Sequence, residues 1–138
     1  MNRSEVRELA FQFLYGAEIQ KELKTEQIDE FLVNNEIESE VAKKYIADVV
    51  SGIIANQEEI INTIQKNLKS DWKIERISKV SSALLKLAIY EIEYQNLPYK
   101  AIINEVVELA KKYGEDTAPT FVNGVLASVV KDKQDSVK

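Results

Sequence analysis

The sequence predicts an all-α chain, a compact bundle of about six to seven helices, and three observations lead there. Apolar residues recur at i, i+3, i+4 and i+7 through most of the 138 residues. Only four Gly and two Pro punctuate them, too few for the frequent turns of a β-rich chain. No segment shows strand-like alternation and no repeat or linker divides the chain, so residues 1–138 read as a single domain.

Ser4 stands as the N-cap of a first helix that carries Val6, Leu9, Ala10, Phe13, Leu14 and Ala17 on one stripe and runs to about Lys21. Thr25 is placed to cap a shorter helix with Ile28, Phe31 and Leu32. From Ser39 onward Ala42, Tyr45, Ile46, Val49, Val50 and Ile53 repeat the helical period. Asn56, with Glu59 three residues on, resembles a capping box ahead of Ile60, Ile61, Ile64 and Leu68, either a separate helix or a bend. A polar link from Ser70 to Lys73 follows.

The stretch from Ser78 to Gln95 carries two stripes, one of Val80, Ala83, Leu84, Leu87 and Glu91, the other of Leu85, Ala88, Ile89 and Ile92. A helix apolar on two sides belongs at the centre of a bundle. Asn96-Leu97-Pro98 breaks it, and the next helix, from about Tyr99 to Tyr113, presents Ile102, Ile103, Val106, Val107, Leu109 and Ala110. Gly114 is placed for a left-handed cap. Pro119 opens a last helix with Phe121, Val122, Val125, Leu126 and Val129, and the Lys131 to Lys138 tail is expected to fray.

Composition excludes several function classes. With 45% hydrophobic and 30% charged residues the chain is neither disordered nor collagen-like. The absence of Cys removes disulfides, thiolate nucleophiles and sulfur-ligated metals. Arg3, Glu5, Arg7 and Glu8 interrupt any apolar leader, and no segment approaches the roughly 20 apolar residues that cross a bilayer. A soluble, cytoplasmic protein is expected. The absence of His removes imidazole metal ligands and the Ser/His and Cys/His pairs of nucleophilic catalysis. No enzyme, metal or cofactor is expected. A net charge of −5 argues against a generic polyanion binder, so any nucleic-acid binding must be local or shared with a partner.

Turning the first helix by about 100° per residue sets Arg7, Glu8, Phe11, Gln12 and Tyr15 opposite its apolar stripe. Rings beside Arg and an amide suit single-stranded RNA, since bases stack on the rings, Arg holds phosphate and Gln reads base edges. The other reading is that a second helix covers this face. Glu91, Asn104, Glu105, Glu108 and Asn123 are polar groups on apolar helices, read as caps, cross-helix hydrogen bonds or solvated groups in preference to acid/base pairs. Gly124 suggests a close helix approach. Lys111 and Lys112 either complement the end of their helix or extend a phosphate-binding rim.

Taken together, these residues resemble the NusB family. Arg7-Glu8-Leu9-Ala10-Phe11-Gln12-Phe13-Leu14-Tyr15 resembles its N-terminal motif, and Leu84-Leu85-Lys86-Leu87-Ala88-Ile89-Tyr90-Glu91 its central helix. Pro98-Tyr99-Lys100 leads into Ile103-Asn104-Glu105 and Glu108-Leu109-Ala110-Lys111, and Phe121-Val122-Asn123-Gly124-Val125-Leu126 completes the pattern. The blocks run in family order from near residue 3 to near residue 130.

The resemblance implies two packed helical sub-bundles and a role in antitermination of ribosomal RNA operons, with boxA RNA bound jointly with NusE, a small-subunit ribosomal protein, and delivered to the transcription elongation complex. It implies an RNA surface of Arg3, Arg7, Gln12, Tyr15, Thr117, Thr120 and Phe121, with Lys111 as an addition, and a NusE surface near Glu75. Two departures from relatives stand out. Arg3 and Arg7 are interleaved with Glu5 and Glu8, leaving the segment neutral, and Ser81 stands where some relatives have an acidic partner contact. The first implies heavier dependence on NusE for RNA binding, and the second bears on the partner interface. The alternatives are an RNA-binding module of a ribosomal RNA cytosine methyltransferase, or a helical interaction scaffold whose aromatics serve a protein contact or a homodimer.

Overall fold

The computed structural model describes the backbone of residues 1–137 and the side chains through Asp135. Among the described residues there are seven α-helices: α1 Arg3–Gln20, α2 Ile28–Asn34, α3 Glu40–Ala55, α4 Gln57–Lys66, α5 Lys79–Ile89, α6 Tyr99–Tyr113 and α7 Ala118–Val137. Short 3₁₀ turns at Thr25–Gln27 and Ile74–Arg76 lead into α2 and α5, and a π-helical turn, Tyr90–Tyr94, continues α5.

Helix α5 lies at the centre, as its two stripes require. It packs against α1, α3, α4, α6 and α7. Leu84, Leu85, Leu87, Ala88 and Ile89 are all fully buried. One connected apolar cluster runs from Val6 and Phe13 of α1 through α3 and α5 to Val122, Leu126 and Val129 of α7. Glycine permits one of the close approaches. A methyl group at Gly52 of α3 would fall 2.2 Å from a ring carbon of Tyr90, so Tyr90 lies directly across that backbone.

Several local expectations change. Asn2, not Ser4, caps α1, its side chain accepting from the Glu5 N–H at 2.8 Å, which frees Ser4 to donate to Glu105 at 2.7 Å. Thr25 starts a 3₁₀ turn and does not cap α2 directly. The break at Asn56 is real, but there is no capping box: the Asn56 amide donates back to the Gly52 carbonyl at 2.8 Å, closing α3 instead of opening α4. Ser39 and Ser78 cap α3 and α5, accepting from Ala42 and Ser81.

Gly114 ends α6 with extended backbone (φ −98°, ψ 179°), not a left-handed cap. What demands glycine there is space: a methyl group would sit 2.7 Å from Ala118 Cβ and 2.9 Å from the Ala110 carbonyl oxygen. Gly124 shows the reverse. No atom lies within 4 Å of where its Cβ would stand, so close helix approach does not explain it. The tail continues α7 as helix to Val137, anchored by buried Val129 and Val130 and by Lys133 donating to the Ile92 carbonyl at 3.1 Å. The final residue of the expected frayed tail lies outside the described residues.

Candidate nucleic-acid interface

Helices α1 and α6 run side by side in the same direction, joined by a ladder of polar contacts on the face opposite the apolar stripe. Ser4 meets Glu105, Glu8 meets Lys112 and Tyr113, and Gln12 meets Tyr113, so the contacts advance along both helices as far as Tyr113. The ladder falls between residues about a hundred positions apart, which only the folded chain brings together.

At the base of this face is a buried charge cluster. Arg7 is 4% exposed and Glu91, on the π-helical turn, 1%. Arg7 Nε and Nη2 donate to the two Glu91 carboxylate oxygens at 2.7 and 3.1 Å, a two-pronged pairing that fixes both planes. The Tyr45 hydroxyl of α3 donates to Glu91 Oε1 at 3.0 Å, and Glu105 lies 4.0 Å from Arg7 Nη1. Burial opposes the charge on Arg7, but the Glu91 hydrogen bond and charge outweigh it and raise its pKa. Burial, reinforced by Glu91, pushes the Tyr45 hydroxyl up as well. The cluster ties α1, α3 and α5 together, and no buried side-chain nitrogen or oxygen among the described residues lacks a partner.

This corrects the expectation that Arg7 holds phosphate. With both prongs committed to Glu91 in the interior, its guanidinium is not a surface group. Phe11 is likewise fully buried, stacked on Tyr15 at 5.8 Å and covered by Tyr113 at 4.9 Å, so it offers no free face to a base. The reading in which a second helix covers the face holds for Arg7 and Phe11. It does not hold for the rest. Arg3 is exposed, without an ion-pair partner among the described residues, and Gln12 and Tyr15 are half-buried.

Carboxylates check the cations on this face. The Lys112 and Tyr113 hydrogen bonds hold the Glu8 pKa below the usual carboxylate range, while the Glu8 hydrogen bond raises Lys112. Lys111 is exposed and bridged to Glu108 at 2.9 Å, one turn back on its own helix. Ser4, Glu8, Glu105 and Glu108 share a shallow groove with both lysines. A phosphate arriving here competes with carboxylates already in place.

Thr117 and Thr120 are exposed and Phe121 is half-buried. Thr120 and Phe121 open onto a second groove, where Phe121 faces Trp72 at 6.1 Å. Glu75 is exposed on the 3₁₀ turn before α5, three residues from Trp72. Ser81 is buried at the N-terminus of α5. Sequence reasoning did not single out Tyr113, Tyr45 or Trp72. The first two show their roles only through partners on other helices, and Trp72 lies in a link with no helical period to mark it.

The chain matches the NusB family model over residues 4–131. It is 46% identical over 134 residues to the transcription antitermination protein NusB of Acetivibrio thermocellus, covering 96% of this chain and 91% of that one. Among solved structures it resembles NusB of T. maritima, with a TM-score of 0.87 at 29% identity, covering 95% and 92% of the two chains. It also resembles a chain in the crystal structure of antitermination factors NusB and NusE in complex with double-stranded RNA, with a TM-score of 0.85 at 29% identity over 96% of this chain and 99% of that one.

Proposed function

The chain belongs to the NusB family, and from that premise we propose that it is a transcription antitermination factor that binds boxA RNA of ribosomal RNA transcripts together with NusE. The observation that carries this reading is the near full-length likeness in sequence and shape to NusB proteins, one of them solved with NusE and RNA. The protein is a binding factor, not an enzyme. It acts as a single cytoplasmic domain, and its complex delivers the RNA to the elongating polymerase.

The RNA surface comprises Arg3, Gln12, Tyr15, Thr117, Thr120 and Phe121, with Lys111 at its edge. Arg3 meets phosphate without an internal competitor, Tyr15 offers a ring for stacking, and Gln12 offers an amide for a base edge. Arg7 contributes by holding α1 in register on α3 and α5. The surface near Glu75 receives NusE. Because Glu8 and Glu108 already engage Lys112 and Lys111, NusE supplies positive charge that this face lacks.

The test is a titration of labelled boxA RNA by fluorescence anisotropy, with and without NusE. Tighter binding to boxA than to a scrambled oligonucleotide is expected, strengthened by NusE. Tyr15→Ala should weaken it about five- to a hundredfold, the value of one stacked base. Equal affinity for boxA and scrambled RNA in both mixtures would refute the reading.

A further inference from the structure

The link before α5 runs against the charge of the whole chain. The net charge is −5, yet from Lys69 to Lys79 the cations Lys69, Lys73, Arg76 and Lys79 outnumber the acids Asp71 and Glu75. All four cations are exposed and have no ion-pair partner among the described residues. Trp72, the chain's single tryptophan, stands among them 45% exposed. An indole left half in water forfeits much of the stabilisation its burial would bring.

The segment that carries Trp72 is pinned. The Gln65 side chain donates to the Trp72 carbonyl at 2.8 Å and accepts from the Ile74 N–H at 3.0 Å, while the Trp72 N–H donates to the Lys69 carbonyl at 2.8 Å. The indole thus stands ready at the wall of a groove of about 430 Å³, with Phe121 tilted 32° beside it. Gly124 also borders this groove. Glycine inside a helix costs about 1 kcal/mol relative to Ala, and no neighbour at this position demands it. Its missing side chain leaves the α7 backbone open to a flat ligand.

We propose that this groove is a stacking slot for one unpaired RNA base, with Trp72 as the platform, Gly124 admitting the base edge to α7, and Lys69 and Lys73 holding the flanking phosphates. The proposal rests on the RNA-binding reading above and adds to it a contact area on the link and α7. The charge selects the occupant: an apolar protein anchor would fill the groove but leave the lysines unanswered, whereas a nucleotide satisfies ring and cations together.

Because Trp72 is the sole indole, its emission reports on the slot directly. Single-stranded boxA RNA is titrated into the full chain, alone and with NusE, reading Trp72 fluorescence and RNA anisotropy in parallel. Quenching that saturates with the anisotropy is expected, and Trp72→Ala should weaken binding about tenfold. Gly124→Leu projects into the groove from a position whose Cβ meets no atom within 4 Å, so it should weaken RNA binding similarly while its thermal melt stays at or above that of the parent. Full RNA binding with unchanged Trp72 emission and unaffected Gly124→Leu would overturn the slot and leave the proposed function standing. Loss of NusE binding in Trp72→Ala and Gly124→Leu, with RNA binding intact, would give the groove to a protein and overturn it too. No RNA binding in any mixture would remove both.

Discussion

Replacing Arg7 by Met separates the two roles that the residue could have. The substitution keeps a long apolar stem but removes the guanidinium that grips Glu91 at 2.7 and 3.1 Å. Glu91, 1% exposed, is then left with Tyr45 as its hydrogen-bond donor, and an uncompensated buried charge of this kind costs about 3–5 kcal/mol. With a urea dependence of about 2 kcal/mol per molar for a chain of this size, the unfolding midpoint should fall by about 2 M. Exchanging both partners, Arg7→Met with Glu91→Leu, removes the stranded charge and should recover most of the loss, a coupling of at least about 2 kcal/mol. Urea unfolding followed by circular dichroism measures all three. The companion assay is RNA affinity against salt: a positioning residue leaves the slope of log K on log salt unchanged, whereas a lost phosphate contact lowers it by about 1. A midpoint that barely moves, together with a reduced salt slope, would refute the buried-pair reasoning and return Arg7 to the RNA.

Three further outcomes are expected. Gly52→Ala forces the Tyr90 ring aside and should destabilise by about 1–3 kcal/mol, while Gly124→Ala meets open space and should stabilise by about 0.5–1 kcal/mol; thermal melts of the same sign would contradict the two environments. Glu8, whose pKa is depressed in the folded state, contributes stability that is complete above its unfolded value of about 4.3 and is lost as pH falls through the lower folded value. The acid limb of a urea-midpoint profile should therefore be shallower in Glu8→Gln, and an identical limb would show that the α1–α6 ladder carries no linkage. The same variant releases Lys112 from its carboxylate, so the salt slope of RNA binding should steepen by up to about 1, and no change would place Lys112 outside the RNA's reach.

Much of the fold was legible in the chain because helical burial is a local pattern. The two stripes from Val80 to Ile92 require a helix surrounded on both sides, and α5 is surrounded. The Asn96-Leu97-Pro98 break acts within one turn of chain, so its signal survives without tertiary knowledge. Ser4, Asn56 and Gly114 misled for the complementary reason. Asn2 competes for the first cap, the Asn56 amide finds the carbonyl of Gly52, and Gly114 answers a contact with Ala118 instead of a backbone twist.

By itself the sequence determined that this protein is helical, that Cys and His chemistry is closed to it, and that its motifs fall in the order of the NusB family. The tertiary structure alone decided which polar residues are available. Arg7 and Arg3 look alike on a helical wheel, but one meets Glu91 from 84 positions away and is buried, while the other is exposed. Helical period fixes the direction of a side chain on its own helix, not what another helix brings to meet it. Burial and charge pairing arise from that meeting, and they separate the residues that hold the fold from those free to bind.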